Sequence, residues 1–156
     1  MTGSTDGAGS PEGCPTPREE IVERLAHLAA AIDGRDWAAI AGSFTRDATG
    51  YGAYGRGAIV ERMAAHLGGV GATQHLIGNH RVTLEDDHRA RSLTYARVHH
   101  VGAGPMEGSF YECMGEYDDR WTRVDGAWLL TSRAFEIRIS LGDFDVLRPL
   151  DPADPG

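Results

Sequence analysis

Thr73-Gln74-His75-Leu76-Ile77-Gly78-Asn79-His80 is the stretch at which the chain changes character. Apolar residues before it recur at helical spacing. From Thr73 onward, β-branched and aromatic residues dominate a series of stretches separated by turn signals such as Asp125-Gly126. The predicted strands cover residues 74–85, 91–101, 109–124 and 127–140. Helices followed by a run of strands indicate an α+β fold.

Three helices are predicted upstream of this stretch. The first begins with a capping box, in which Thr16 is the N-cap, Pro17 the first helical residue and Glu19 the reciprocal partner. Gly34 suits the C-terminal stop of this helix. Its apolar residues are spaced to form one buried stripe: Ile21, Leu25, Leu28 and Ile32.

The second and third helices are shorter. Asp36 caps the second, which aligns Trp37, Ile40 and Phe44 on one side. A Gly-rich segment, residues 50–57, leads to the third helix. That helix carries Ile59, Val60, Met63 and Leu67 and ends at Gly68-Gly69. We expect the helices to close one face of a curved antiparallel sheet, which gives a cone with a small-molecule pocket at its mouth.

Composition narrows the possible functions and partners. The formal net charge of -8 disfavours nucleic acid, because phosphate binding needs a basic face. We expect no membrane partner, since no apolar run is long enough to cross a bilayer. The N-terminal segment has neither the basic start nor the apolar stretch of a signal peptide, which predicts a cytoplasmic protein. Cys14 and Cys113 lie in unrelated parts of the chain, so no structural disulfide is expected.

One domain is predicted for the body of the chain. Residues 1–15 are rich in Gly, Ser, Thr and Pro, and we expect them to form a disordered tail. Residues 149–156 are expected to leave the fold as a second tail. The domain therefore covers residues 16–148.

Asp33 is the first candidate for chemistry. It borders the apolar stripe of the first helix, because residues 25, 29 and 33 share one face. A carboxylate in the last turn of a helix also opposes the helix dipole. Such a residue either lies at a solvated helix end or serves in a site. Histidines further along the chain favour a site, because a carboxylate and an imidazole in an apolar pocket can transfer protons near neutral pH.

His75 is the second candidate, and the strand pattern leaves its orientation open. Strict alternation places it opposite Leu76, Val82 and Leu84, which look like a core-facing set. A bulge at Gly78 would reverse this parity and turn the imidazole toward the pocket.

His99 and His100 must point to opposite faces of the strand that they end. Ala96 and Val98 share a face with His100, so His100 is predicted to face the pocket. Either histidine could instead satisfy a core or interface hydrogen bond. The opposite set is Tyr95, Arg97 and His99, and we expect Trp121 to join it on the outer face. Residues of these types are typical of protein interfaces, so we expect a homodimer through the sheet.

Further polar and aromatic residues are candidates for substrate binding. Gly50-Tyr51-Gly52-Ala53-Tyr54-Gly55 matches a dinucleotide-binding pattern, but we interpret it as a decoy. Phe44-Thr45-Arg46-Asp47 before it does not look like a buried strand, and no acid stands at the ribose position. Tyr51 and Tyr54 are instead predicted to line the pocket or its lid.

Tyr117 and Arg133, on later strands, are further substrate-binding candidates, with ordinary sheet surface as the alternative. The remaining histidines carry less information. His27, His66 and His88 look like surface residues, and His80 stays open. Histidine spacings match no zinc pattern, so neither a metal nor another cofactor is predicted.

Four stretches carry a resemblance to a known family: residues 31–40, Thr73-Gln74-His75 with Asn79, residues 115–119 and residues 125–128. In these stretches, which span most of residues 17–135, the chain resembles the SnoaL-like group of the nuclear transport factor 2-like superfamily. That superfamily includes polyketide cyclases, scytalone dehydratase, ketosteroid isomerase and a dehydrochlorinase. The resemblance implies a helix-closed α+β cone that is often dimeric through the outer face of its sheet.

The resemblance also implies roles for individual residues. In dehydratase-like members the helix aspartate and the strand histidine form an acid–base pair, and those positions are Asp33 and His75 here. His100 resembles the second pocket histidine. The chain departs from the pattern at Leu28, because many relatives carry a tyrosine about one turn before the aspartate. The candidates to replace that phenol are Tyr51, Tyr54 and Tyr117.

We therefore expect a cofactor-independent dehydratase, isomerase or cyclase that acts on a hydrophobic, oxygenated small molecule. In the predicted mechanism, His75 removes a proton next to a carbonyl group, and Asp33 orients the imidazole and stabilises its charged form. His100 or a tyrosine hydrogen-bonds the developing enolate. The alternative is a non-catalytic small-molecule-binding domain with the same fold.

Overall fold

The computed structural model describes residues 13–149. The predicted tails therefore lie mostly outside the described residues. Cys14 and Cys113 are both free thiols. Within the described part of the chain, no helix is both long and apolar enough to span a bilayer.

The three predicted helices are confirmed. They are α1 (Pro17–Asp33), α2 (Trp37–Gly42) and α3 (Arg56–Leu67). The capping box of α1 is complete, because the Thr16 hydroxyl accepts from the backbone of Glu19 and the Glu19 carboxylate accepts from the backbone of Thr16. Gly34 ends this helix. The Asp36 carboxylate caps α2 by accepting from the Ala39 N–H at 3.0 Å.

Four long strands follow, as the alternation of residues predicts. They are β3 (Thr73–Leu84), β4 (Arg89–Val101), β5 (Phe110–Val124) and β6 (Ala127–Gly142). Each pairs antiparallel with the next along the chain. Short 3-10 helices follow β4 at Gly104–Met106 and β6 at Phe144–Leu147.

Two further strands correct the sequence prediction. Phe44–Gly50 forms β1 and Ala53–Tyr54 forms β2, where we predicted a helix end and a Gly-rich connection. In β1, the buried Phe44 and Ala48 flank three polar residues, so the apolar pattern is too sparse to indicate a strand. β1 pairs in parallel with β6, which makes the sheet mixed rather than wholly antiparallel.

The strand order is β2-β1-β6-β5-β4-β3, so β2 and β3 are the two edges of an open sheet. The strands do not close on themselves, and the predicted closure of a cone by the helices stays a prediction. Helices α1 and α3 contact the sheet at β3 and at β1.

A bulge decides which way His75 points. The pairing register of β3 with β4 shifts between Gly78 and Arg81, at the position where a bulge was considered. Asn79 has a φ of 50° there, in the left-handed region that asparagine tolerates better than most residues. The shift turns His75 and Ile77 inward, whereas Leu76 is 69 % exposed. The core-facing set that strict alternation gave, with Leu76 and Leu84 inside, is therefore wrong.

The hydrophobic core lies between the helices and the inner face of the sheet. One cluster joins the apolar stripe of α1 to Trp128 and Leu130 of β6. Trp121, expected on the outer face, belongs to this cluster, and its indole N–H donates to Ser92 Oγ at 2.8 Å. A second cluster contains Tyr117 and Val146. Between the two clusters lies the cavity that holds the predicted site.

Candidate active site

Asp33 and His75 form a hydrogen-bonded pair. The distance from Asp33 Oδ1 to His75 Nδ1 is 2.7 Å. The second carboxylate oxygen accepts from the backbone N–H of His75 at 2.9 Å. The His75 side chain is 7 % exposed and that of Asp33 is 24 % exposed. Because the carboxylate accepts at Nδ1, the neutral imidazole carries its proton there and presents Nε2 as a base.

Two residues that the sequence analysis missed hold the Asp33 carboxylate in place. The Thr73 hydroxyl donates to Asp33 Oδ1 at 3.0 Å. The Arg35 guanidinium donates to that hydroxyl at 2.8 Å and to the backbone oxygen of Gly71 at 3.0 Å. Arg35 thereby ties the end of α1 to the start of β3. These contacts hold α1 and β3 together, so that Asp33 and His75 lie within hydrogen-bonding distance of each other.

The Asp33 carboxylate is held in its charged form. Burial raises the pKa of Asp33, but hydrogen bonds and the charge interaction from His75, together with the Thr73 hydroxyl, lower that pKa below its usual value. The carboxylate therefore stays ionised near neutral pH. An ionised partner at Nδ1 stabilises the imidazolium that forms when Nε2 takes up a proton.

His75 of this pair lines a cavity of about 270 Å³, and Asp33 lies behind it. Its wall is largely apolar and aromatic, and it carries a few convergent polar groups. Its lining includes Ile32, Tyr51, His75, His100, Tyr117 and Phe135. The apolar wall lowers the local dielectric, which strengthens the hydrogen bonds made inside it.

His100 faces the cavity as predicted and is 5 % exposed. Its Nδ1 lies 3.0 Å from the Tyr111 carbonyl oxygen, so Nδ1 carries the proton and donates it. Burial lowers the pKa of His100 below its usual value, which keeps the ring neutral. The neutral ring then presents Nε2 as an acceptor. The predicted role of His100 as a hydrogen-bond donor to an enolate does not fit this tautomer, which leaves the tyrosine alternative.

The predicted tyrosines fall in different places. Tyr51 lines the cavity from the turn between β1 and β2, and Arg62 of α3 donates to its carbonyl oxygen at 2.9 Å. Tyr54 is 72 % exposed and does not line this cavity. Its prediction as a substrate-binding residue is therefore corrected, because β2 turns its side chain to solvent.

Tyr117 is 4 % exposed and lines the cavity, so it is not ordinary sheet surface. Arg133 is also buried, but its guanidinium binds the Asp119 carboxylate through two hydrogen bonds of 2.8 and 2.7 Å. Arg133 is thus committed to another side chain, which corrects its prediction as a direct substrate contact. The sequence analysis missed Asp119. Strand alternation from Tyr117 through Asp119 to Trp121 was the signal that could have found it.

Three further histidines have identified hydrogen-bond partners. His99 points to the outer face and lies 3.0 Å from a Glu112 oxygen. His66 was expected on the surface alone, but it also lines the mouth of the cavity, where its Nδ1 lies 3.1 Å from the Leu147 carbonyl oxygen. His80 Nδ1 lies 3.1 Å from the Thr94 hydroxyl.

Neither a metal cluster nor a nucleotide cradle is built from the described residues. Within residues 13–149, no group of three or more His, Cys, Asp or Glu side chains is placed to hold a metal ion. The Gly50–Gly55 stretch follows a strand after all, since β1 ends at Gly50, so one reason for rejecting it was wrong. However, this stretch forms the turn of the β1–β2 hairpin rather than leading into a helix, and the Arg62 side chain packs against Gly52.

Helices packed on a mixed sheet, with an Asp–His pair whose histidine faces the cavity between them, agree with what the resemblance to the nuclear transport factor 2-like superfamily implies. The SnoaL-like domain matches residues 16–134. The chain belongs to the SnoaL-like family, which confirms the resemblance seen in the sequence.

Solved structures support the same fold. A provisionally assigned aromatic ring hydroxylase from Novosphingobium aromaticivorans has 23 % identity and a TM-score of 0.76, over 87 % of this chain and 100 % of that one. A provisionally assigned scytalone dehydratase from the same organism has 18 % identity and a TM-score of 0.73, over 86 % and 93 %. A type 2 hexachlorocyclohexane dehydrochlorinase, LinA, has 14 % identity and a TM-score of 0.72, over 88 % and 95 %. No curated protein matches the chain in sequence.

The buried neutral state of His100 predicts a pH dependence of stability. Unfolded His100 takes up a proton near its ordinary pKa of 6.5, whereas the folded side chain, with its lowered pKa, stays neutral. The unfolded state then binds more protons, so the free energy of unfolding should fall as the pH drops below 6.5. Denaturant titrations between about pH 8 and pH 5 should show a smaller fall in His100→Asn than in the wild type. An equal fall in both would contradict this assignment. The same titrations on His80→Asn measure the separate contribution of His80, whose pKa burial also lowers.

Proposed function

We propose that this protein is a cofactor-independent acid–base enzyme: a dehydratase, isomerase or cyclase. Its substrate is a hydrophobic, oxygenated small molecule such as a polyketide-like or steroid-like metabolite. The observation that carries the proposal is the 2.7 Å hydrogen bond between Asp33 Oδ1 and His75 Nδ1 at the wall of an apolar cavity. Two structural relatives agree with this proposal, since one is provisionally assigned as a scytalone dehydratase and the other is a dehydrochlorinase.

His75 is the general base in this proposal. Its Nε2 takes a proton from a carbon next to a carbonyl group, and the electron pair of the C–H bond moves onto the carbonyl oxygen as an enolate. Asp33 holds the imidazole in the productive tautomer and stabilises its charged form. The enolate then expels a leaving group, is reprotonated elsewhere or attacks an internal electrophile. These outcomes correspond to elimination, isomerisation and cyclisation.

His100 serves as an acceptor for a substrate donor. Its Nδ1 is occupied by the Tyr111 carbonyl oxygen, so Nε2 can accept from a hydroxyl group of the substrate. A pocket with a buried acceptor rejects molecules that leave that acceptor unpaired. The proposed substrate therefore carries a hydroxyl or enol group as well as a carbonyl group.

Hydrogen exchange into a simple ketone tests the proposal without knowledge of the natural substrate. The bicyclic aromatic ketones 1-tetralone and 2-tetralone are incubated with the protein in D₂O, and deuterium uptake next to the carbonyl is followed by NMR. We expect the wild type to accelerate uptake over buffer and His75→Ala to lose most of that acceleration. Ketones that bind the wild-type cavity without accelerated exchange would instead support the non-catalytic binding domain.

A homodimer through the outer sheet face is part of the proposal. That face exposes several large apolar side chains: Leu76, Tyr95, Ile139 and Leu141 are 45–69 % exposed. Arg97 and His99 surround Glu112 beside them. Exposed apolar residues with arginine and aromatic neighbours are typical of interfaces. A cytoplasmic location stays a prediction from the sequence.

The dimer can be tested by light scattering. We expect the wild type to have twice the monomer mass at micromolar concentration. Leu76→Asp should shift the mass toward the monomer, because it places a charge in an apolar contact. Val124→Asp is the matched control, since Val124 is also exposed but ends β5 at the turn into β6. A monomeric wild type, or equal dissociation by both variants, would count against the interface.

A further inference from the structure

A buried ion pair stands behind the cavity wall. Asp119 and Arg133 are directly opposite each other on β5 and β6. Their side chains are 0 % and 4 % exposed. A buried ion pair is costly to desolvate, and well-packed apolar residues of similar volume usually stabilise a fold as well or better. The pair is therefore poorly explained by stability alone.

The pair supports the ring of Tyr117. The Arg133 guanidinium carbon lies 4.1 Å from the centre of that ring. On the opposing strand, Phe135 packs against the same ring with centroids 4.4 Å apart. Tyr117 faces Phe135 across β5 and β6 in the same way that Asp119 faces Arg133. The ring is thus fixed between a cation and an aromatic neighbour.

The hydroxyl group of Tyr117 is available to a ligand. Its side chain lines the same cavity as His75. Among residues 13–149, no hydrogen bond engages this hydroxyl. Burial raises the pKa of Tyr117 well above its usual value of 10, so the phenol stays protonated near neutral pH. A fixed neutral phenol in an apolar cavity is suited to donate a hydrogen bond to an oxygen that gains charge.

We propose that Tyr117 is the catalytic donor to the substrate's carbonyl oxygen, and that Arg133 and Asp119 are positioning residues that hold and polarise its ring. This inference rests on the proposed acid–base function. It assigns to Tyr117 the oxyanion-stabilising role that the neutral tautomer of His100 cannot fill.

Arg133 acts through the ring of Tyr117. As His75 removes the proton, negative charge develops on the substrate oxygen and the phenol O–H is drawn toward it. Electron density in the phenol ring then rises, which strengthens its attraction to the guanidinium cation. Asp119 fixes the planar guanidinium by two hydrogen bonds, so no reorganisation is needed during the reaction.

Tyr51 is the other phenol in the cavity, and its setting suits the role less. It lies on the β1–β2 turn with a φ of 52°, and its side chain is partly exposed. Its backbone is held by Arg62, but no cation is stacked on its ring among the described residues. Tyr117 lies on the rigid centre of the sheet, where a hydrogen-bond donor can be placed accurately.

The carbonyl stretching band of bound 1-tetralone tests the donor directly. A hydrogen bond to the carbonyl oxygen moves this infrared band to lower frequency, and the readout needs binding but no turnover. We expect a shifted band in the wild type and a band near its apolar-solvent position in Tyr117→Phe. Tyr95→Phe is the matched control, because Tyr95 lies on the outer face below Arg81. It should leave the band where the wild type has it.

The positioning pair is tested with a variant designed to fold. Asp119→Leu combined with Arg133→Met removes both charges at similar volume, and Arg133→Lys keeps a cation without the two-point contact. We expect the double variant to lose part of the band shift and to lower the exchange rate about tenfold, with little change in KM. Arg133→Lys should recover part of both effects.

The outcomes separate this inference from the proposed function. A shifted band that Tyr117→Phe leaves unchanged, or a ketone that does not enter the cavity, overturns the assignment of Tyr117. A double variant with the wild-type band and rate overturns the positioning role. A Tyr117-dependent band shift without any wild-type hydrogen exchange upholds the donor while refuting the acid–base function.

Discussion

Replacing His75 with alanine should lower the hydrogen-exchange and turnover rates by about 10²–10⁴-fold, the usual cost of losing a general base. The protein should nevertheless stay folded. Asp33 keeps its hydrogen bonds to the backbone N–H of residue 75 and to the Thr73 hydroxyl, neither of which needs the imidazole. The apolar wall that binds the ligand is also unchanged.

The measurement compares rate, melting temperature and ligand affinity in parallel. Asp33→Asn should also lower the rate, because an amide can hold the imidazole but cannot stabilise its charged form. His88→Ala is the matched control, since His88 is exposed on the turn between β3 and β4. Full activity of His75→Ala would refute the mechanism. Equal losses of activity, binding and stability would assign the pair to the cavity wall.

The helices, the long strands and the family could be predicted from the sequence, because each carries a local signal. The α1 capping box is contained in four residues, and the strands of the meander alternate over long stretches. β1 lacks such a signal, since Thr45, Arg46 and Asp47 separate its buried residues. Its parallel pairing with β6 depends on contacts between distant parts of the chain.

The site was predicted in part for the same physical reason. Asp33 and His100 were found because each stands beside an apolar stripe or strand face, whereas His75 was assigned through the family resemblance, since alternation left its orientation open. The supporting residues Arg35 and Asp119 were missed, because a charged residue reads as surface unless its partner is known. Arg133 was predicted to bind substrate because its partner, Asp119, had not been identified. Ion pairs across strands are tertiary features, and only the fold brings them together.

Removing Arg133 alone should destabilise the protein far more than removing the whole pair. Arg133→Met leaves the Asp119 carboxylate buried without a cation, which typically costs about 3–5 kcal/mol in the free energy of unfolding. Asp119→Leu combined with Arg133→Met leaves no buried charge, so its stability should lie near that of the wild type. Denaturant unfolding of the wild type, both single variants and the double variant forms a cycle that measures the coupling between the two residues.

The pH dependence of Arg133→Met provides an independent check on this explanation. Burial already raises the pKa of Asp119 above its usual value, against the opposing effect of Arg133. Without that cation the folded pKa should rise further, so the buried carboxyl group stays protonated well above the pH at which it ionises in the unfolded chain. A folded pKa above the unfolded one gives stability that is present at low pH and is lost as the pH rises through the folded pKa. The deficit of Arg133→Met should therefore shrink in acid and grow toward neutral pH, whereas the double variant should show no such trend. A deficit that does not change with pH would mean that lost packing around the arginine stem, rather than the stranded charge, causes the destabilisation.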